Sequence, residues 1–140
     1  MKLLILGGTR FVGRHITETA LARGHEVTLF NRGKSNTDLF PQAEKLSGDR
    51  DTGDLSAIQA RIDAGAMWDA VIDVNGYVPR VVRQAAELLK NAAKQYTFIS
   101  TISVFASPVP RGADENAPLQ TLKDETAEEV TGETYGGLKV

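Results

Sequence analysis

Residues Leu3–Gly13 read LLILGGTRFVG, a short apolar run, a glycine turn and the opening of a helix. An apolar run of this kind is buried on both faces of a parallel strand. The glycines that follow let the backbone close tightly around a phosphate. A helix beginning near Phe11 leaves its first amides without intrahelical acceptors, so its positive end points at an anion. A dinucleotide pyrophosphate is the usual anion in such a place. Gly7 allows the turn, Thr9 offers a hydroxyl and an amide, and Gly13 lets helix and sheet approach closely. Arg10 stands where the common pattern has its middle glycine, which adds a cation, and Phe11 and Val12 lead into the helix. The competing reading is a purely structural strand, turn and helix. The motifs farther along the chain favour the ligand.

Working outward, Val12, Ile16 and Ala20 recur at four-residue intervals and predict a helix lying on the sheet, with Gly24 placed to end it. His25–Phe30, HEVTLF, alternates and predicts a second strand. Asn31 and Arg32 then fall where a dinucleotide fold meets the adenosine ribose, about 20 positions past the glycines. An acid there would accept from both ribose hydroxyls and repel a 2′-phosphate. Neutral Asn31 followed by Arg32 removes that repulsion and offers a bidentate fork, with Arg10 and Lys34 as further cations. The pattern favours NADP over NAD; the alternative is a plain turn with a solvated arginine. A short third strand is expected at Lys45–Ser47, followed by Gly48, Asp49 and Arg50 at its end, where Asp49 could accept from an adenine amino group. Asp54 is placed to cap a helix carrying Leu55, Ile58 and Ile62.

Trp68–Val74, WDAVIDV, predicts a fourth strand, and Asn75, Gly76 and Tyr77 make the turn at its carboxyl end. Ligands of open α/β sheets lie across such strand ends, so these three residues are expected to wall the cleft. Pro79 suits a first helical turn, and Val82, Ala85, Ala86, Leu89 and Ala93 give that helix its apolar stripe. A fifth strand is expected from Tyr96 towards Val104. Strands alternating with helices in this way predict an α/β fold, a doubly wound parallel sheet in the order 3-2-1-4-5.

The 140 residues, 41% of them hydrophobic, suit one domain with a real core. Sixteen Lys and Arg against 18 Asp and Glu leave a net charge of −2, which supplies no general attraction for nucleic acid or an acidic membrane. The absence of cysteine excludes disulfides, thiolate metal sites and cysteine nucleophiles. His15 and His25 read as surface residues, so no metal site is expected. The apolar opening run is too short to span a membrane, and a cytoplasmic protein is the simplest expectation. The acids Asp114, Glu115, Asp124, Glu125, Glu128 and Glu129 read as a solvated stretch.

Tyr135 and Lys139 stand four apart, which on a helix puts phenol and ammonium on one face. A free tyrosine titrates too high to act as a base, and an adjacent cation favours its phenolate. Thr101 brings a hydroxyl near the end of the fifth strand, suited to hold a substrate hydroxyl or carbonyl while hydride leaves for a cofactor and the tyrosine takes the proton. Ser100 and Ser103 compete for that role.

GGTRFVG, the NRG after the second strand, GDR at 48–50, STISVF at 100–105 and YGGLK at 135–139 together resemble the short-chain dehydrogenase/reductase superfamily, in its extended or atypical branch of NAD(P)-dependent epimerases and dehydratases. The resemblance implies a Rossmann fold with Thr101, Tyr135 and Lys139 as catalytic residues, and a small-molecule substrate such as a nucleotide-linked sugar. GGTRF with NRG is also similar to the chloroplast stem-loop RNA-binding proteins, which implies a second reading with a vestigial enzyme site. Net acidity weighs against that reading. Members of the family continue well past the lysine. The expectation is therefore a dinucleotide-binding portion at 1–107 and a polar loop with the start of the YxxxK helix at 108–140, without the substrate portion. Its last turn should be frayed and its fifth strand left as an edge along which copies could pair. Such a fragment should bind dinucleotide weakly and turn nothing over.

Overall fold

A computed structural model describes all residues from Met1 to Val140. The chain runs β1 (Lys2–Leu6), α1 (Phe11–Ala22), β2 (Glu26–Asn31), β3 (Glu44–Ser47), α2 (Ser56–Asp63), β4 (Ala70–Asp73), α3 (Pro79–Leu89), β5 (Tyr96–Phe98), a 3₁₀ turn (Ile102–Val104) and α4 (Tyr135–Leu138). The five strands form one sheet in the order β3-β2-β1-β4-β5, and every pairing is parallel. This is the doubly wound order that the alternation of patterns predicts. No helix is long and apolar enough to cross a membrane.

β1 is the centre of the sheet, with Leu4 facing Thr28 of β2 on one side and Val71 of β4 on the other. Its side chains alternate between two cores. Leu4 and Leu6 join Phe30, Ile58, Trp68, Val71, Ala85 and Leu89 under α2 and α3. Leu3 and Ile5 join Ala20, Val27, Leu29 and Phe40 under α1. Leu4, Ile5 and Leu6 are fully buried, and each such side chain is worth about 1.5–3 kcal/mol relative to exposure. That burial on both faces is why the opening run carries no polar residue.

Several elements differ from expectation. The face of α1 on the sheet is Gly13, Thr17 and Ala20, while Val12 is exposed and Ile16 half-buried. The helix is turned by one residue because Gly13 must meet the turn before it, and Thr17 follows on the same face. The Thr17 hydroxyl lies 3.0 Å from the Gly8 carbonyl and 2.8 Å from that of Gly13, so a polar residue is satisfied inside the layer. In α3 Ala85 and Leu89 are buried as expected, while Val81 and Ala92 complete the stripe and the expected Val82, Ala86 and Ala93 are half-buried. Asp54 does not cap α2. Leu55 holds the cap position, and Asp54 Oδ1 instead accepts from the amide and hydroxyl of Ser56.

β5 stops at Phe98 and does not continue to Val104. The hydroxyl residues beyond it turn the backbone: Thr101 Oγ1 accepts from the Ser103 amide and caps the 3₁₀ turn, a local bond that competes with strand pairing. The tail is docked instead of frayed. Gly136, Leu138 and Lys139 are buried. The two glycines make this fit, since a Cβ at Gly136 would stand 2.1 Å from the Ser103 carbonyl and one at Gly137 2.7 Å from Leu122 Cδ2. Among the acids of the polar stretch, Glu128 forms a two-pronged pair with Arg80 at 2.7 and 2.8 Å. Asp114 and Asp124 accept from nearby amides.

Candidate functional site

The turn after β1 is closed by contacts that only glycine permits. Gly7 has φ of +93°, and a Cβ there would lie 2.9 Å from Asn75 Cγ. At Gly13 a Cβ would lie 2.0 Å from the Gly7 carbonyl oxygen. α1 can therefore start directly behind the strand end, and the amides of Phe11, Val12 and Gly13 have no acceptor within the chain. Three unpartnered amides at the positive end of a twelve-residue helix, two of them from the cavity-lining Phe11 and Val12, fit the pyrophosphate of a dinucleotide. Phe11 carries φ of +37° and is 83% exposed, an unusual backbone state for a bulky residue, at the mouth of this cradle.

The cavity is about 580 Å³ and crosses the carboxyl ends of the strands, within the ordinary range for a small-molecule site. Gly7, Thr9, Arg10, Phe11 and Val12 wall its middle; Asn31, Arg32, Lys34, Asp49 and Arg50 wall one end; Asn75, Tyr77, Thr101, Tyr135 and Lys139 wall the other. Gly13 and Gly76 lie behind the wall. Gly13 acts through packing, and the carbonyl of Gly76 accepts from Lys139 Nζ at 2.7 Å. Sequence reasoning did not single out Ser35, Asp51, Val74 or Ile99, which also line the cavity. Their only available signal is that each follows a strand end or a turn already in the site.

At the first end, Asn31 Oδ1 accepts from the Gly33 amide at 2.8 Å, which folds the turn and presents the exposed side chains of Arg32 and Lys34. Arg32 has only a loose contact with Asp51, at 3.8 Å. Asp49 Oδ1 accepts from the Asp51 amide at 3.2 Å. Arg50 departs from its expected role. Its guanidinium grips Asp73 with two bonds of 2.6 and 2.7 Å, reaches Asn75 Oδ1 at 3.0 Å and is almost wholly buried. It holds the wall together instead of offering a free cation to the cofactor. Tyr96 Oη also donates to Asp73, at 2.7 Å, and burial together with that carboxylate pushes the phenol far above its usual value.

At the other end, Tyr135 and Lys139 come to the same cavity from α4. The rings of Tyr135 and Tyr77 are 6.4 Å apart. Lys139 Nζ donates to the carbonyls of Gly76 and Ile99 and lies 4.1 Å from the centre of the Phe98 ring. Burial lowers the Lys139 pKa, with Asp73 acting against that shift and Arg50 adding to it. The Thr101 hydroxyl lies 3.3 Å from Ser103 Oγ. Ser100 Oγ donates to the Lys139 carbonyl at 3.1 Å; Ser100 and Thr101 both line the cavity, and Ser103 does not.

The family comparison agrees with this geometry. A family model described as the NAD dependent epimerase/dehydratase family matches residues 3–135. The chain is 33% identical over 120 residues to the Arabidopsis thaliana chloroplast stem-loop binding protein of 41 kDa b, covering 74% of this chain and 30% of that protein. It is 37% identical over 76 residues to a 3-beta-hydroxysteroid dehydrogenase of Mycolicibacterium neoaurum, covering 54% of this chain and 21% of that one. Among solved structures, the Bifidobacterium longum UDP-glucose 4-epimerase in complex with NAD+ and UDP superposes with a TM-score of 0.70 at 20% identity, over 86% of this chain and 43% of its own. The chain thus spans less than half the length of each of these relatives. It belongs to the NAD dependent epimerase/dehydratase family.

Proposed function

We propose that this chain is the dinucleotide-binding part of an oxidoreductase-type epimerase, dehydratase or reductase, acting at a carbinol carbon. The observation that carries the reading is the convergence of the free amino end of α1, through Phe11 and Val12, and the Tyr135–Lys139 pair on one cavity. A nicotinamide dinucleotide bound there would accept or return hydride. The α1 amides would hold its pyrophosphate, and Asn75 and Tyr77 would wall the cleft beside it. Tyr135 would take or give the proton of the carbinol, Lys139 would supply the cation beside it, and Thr101 would hold the substrate oxygen.

NADP is the cofactor we favour. No acid stands at Asn31 to repel a 2′-phosphate, and the exposed Arg32, Lys34 and Arg10 border the same end of the cavity. A nucleotide-linked sugar is the substrate class we favour, because the Bifidobacterium epimerase of the same fold was solved with UDP. Calorimetry of the chain with NADP+ and NAD+ tests the cofactor reading. Binding with preference for NADP+ is expected, and absence of binding to either would end it. The 140 residues alone are expected to bind without turnover, so hydride transfer by them would contradict that part. A second reading, stem-loop RNA binding, is favoured by the name of the Arabidopsis relative. A salt-dependent RNA shift in a gel assay, with no dinucleotide binding, would replace the first reading with the second.

A further inference from the structure

Lys139 is buried although it carries a charge, and its seat is built by the ends of β4 and β5. Both carbonyls that accept from Nζ belong to segments that touch Asp73, one at its main chain and one at its carboxylate. The Ile99 amide donates to the Asp73 carbonyl at 2.8 Å. The Asp73 carboxylate lies against Gly76, with Oδ2 3.3 Å from where a Cβ would stand. That Cβ would also come within 2.9 Å of the Phe98 ring, so a side chain at 76 would push the ring out of its place beside the ammonium. Asp73 itself is fully buried and held by Arg50 from the loop after β3 and by Tyr96 from β5. An apolar pair of similar volume commonly does as well for stability as a buried ion pair. Stability alone therefore gives no reason for a carboxylate at this point.

We propose that Asp73, locked by Arg50 and Tyr96, is a positioning residue for Lys139: it fixes the two carbonyls that seat the ammonium and supplies negative charge behind that seat. The inference rests on the oxidoreductase reading only for what Lys139 then does. The titratable groups around Lys139 are Arg50, Asp73, Tyr77 with its ring 5.5 Å away, Tyr96 and Tyr135. Asp73 is the side-chain carboxylate among them. Its charge opposes the downward push of burial, and Arg50 works the other way. Tyr96, held far up, stays a protonated donor to the carboxylate throughout.

The test is an NMR titration of the 140-residue chain carrying ¹⁵N-lysine and ¹³C-aspartate. In the unmutated chain the Asp73 ¹³Cγ signal should step at the pH where Lys139 ¹⁵Nζ loses its proton. In Asp73→Asn the Lys139 midpoint should move to lower pH. In Tyr96→Phe, which removes a neutral donor and leaves the charge, it should not fall. An Asp73 signal indifferent to Lys139, or a Lys139 midpoint unchanged in Asp73→Asn, would overturn the proposal. If Asp73→Asn does not fold, the two signals of the unmutated chain decide the matter. NADP+ affinity measured alongside keeps the readings apart. Coupled titrations without binding would end the cofactor reading and leave this one, and binding with uncoupled titrations would do the reverse.

Discussion

Gly13 shows most plainly how one residue sets the site. A methyl group there would meet the Gly7 carbonyl oxygen at 2.0 Å, so Gly13→Ala must push α1 away from the turn. Overpacking of this kind typically costs about 1–3 kcal/mol, and urea denaturation should show that loss together with loss of dinucleotide affinity. The Arg50–Asp73 pair gives a second test. Arg50→Ala leaves a buried carboxylate without its partner and should cost about 3–5 kcal/mol, whereas Arg50→Met combined with Asp73→Leu should recover most of it. Equal losses in the single and double variants would show that the pair matters as more than matched charges. At the open end of the cavity, Arg32→Ala with Lys34→Ala should weaken NADP+ roughly tenfold, about 1.4 kcal/mol, and leave NAD+ unchanged in calorimetry. Gly7 and Gly13 are legible in the sequence because a turn motif names them. Asp73 is not, since it reads as the polar end of an apolar strand and its partner lies 23 residues away.

At the scale of elements, apolar periodicity located the helices and only part of their buried faces. α3 buries the expected Ala85 and Leu89 together with Val81, while α1 buries the expected Ala20 but presents Gly13 and Thr17 in place of Val12 and Ile16, because close approach at Gly13 outweighs the pattern of larger side chains. Thr17 makes the point testable. Thr17→Val keeps shape and removes the hydroxyl that lies against the Gly8 and Gly13 carbonyls, leaving the buried Gly8 carbonyl unmet at a cost of about 1–3 kcal/mol. A variant as stable as the parent in urea would show that those carbonyls do not need the hydroxyl. The docking of α4 was equally hidden. YGGL is a poor helix by propensity, and long-range contacts explain why it is ordered against the site: the close fit of Gly136 and Gly137 on Ser103 and Leu122, and the bonds of Lys139 to Gly76, Ile99 and Ser100.

For the molecule as a whole, the strand order follows from alternating strands and helices and the right-handed rule for their crossovers. The path of residues 108–134 does not. It is set by isolated long-range contacts, the Arg80–Glu128 pair and the bridge between Phe105 and Leu119, which leave no periodic trace. Surface carboxylates also hold the chain, Asp69 and Glu128 across long range and Asp54 and Asp124 within a turn. Asp54 is held low by Ser56, Asp69 by Lys94 and the Lys2 amide, Asp124 by Thr126 and Glu128 by Arg80. A carboxylate whose folded pKa is depressed contributes stability that is present above its ordinary range and lost as pH falls through the folded value. The thermal midpoint should therefore hold near neutrality and decline as pH drops below about 4. A flat profile through that range would contradict the pairings. Lys139 acts with the same sign at higher pH: because its folded pKa is depressed, the penalty of burying its charge is relieved as pH rises from the folded value towards the ordinary lysine range.

The most direct measurement is an NADP+ titration of the ¹⁵N-labelled chain, following the amides of Phe11, Val12 and Gly13, with ADP-ribose as the ligand lacking nicotinamide. Saturable shifts of those three amides with both ligands are the predicted result, because the diphosphate is common to both. Saturation elsewhere with those amides unmoved, or no binding at all, would contradict the assignment of the α1 terminus as the pyrophosphate site.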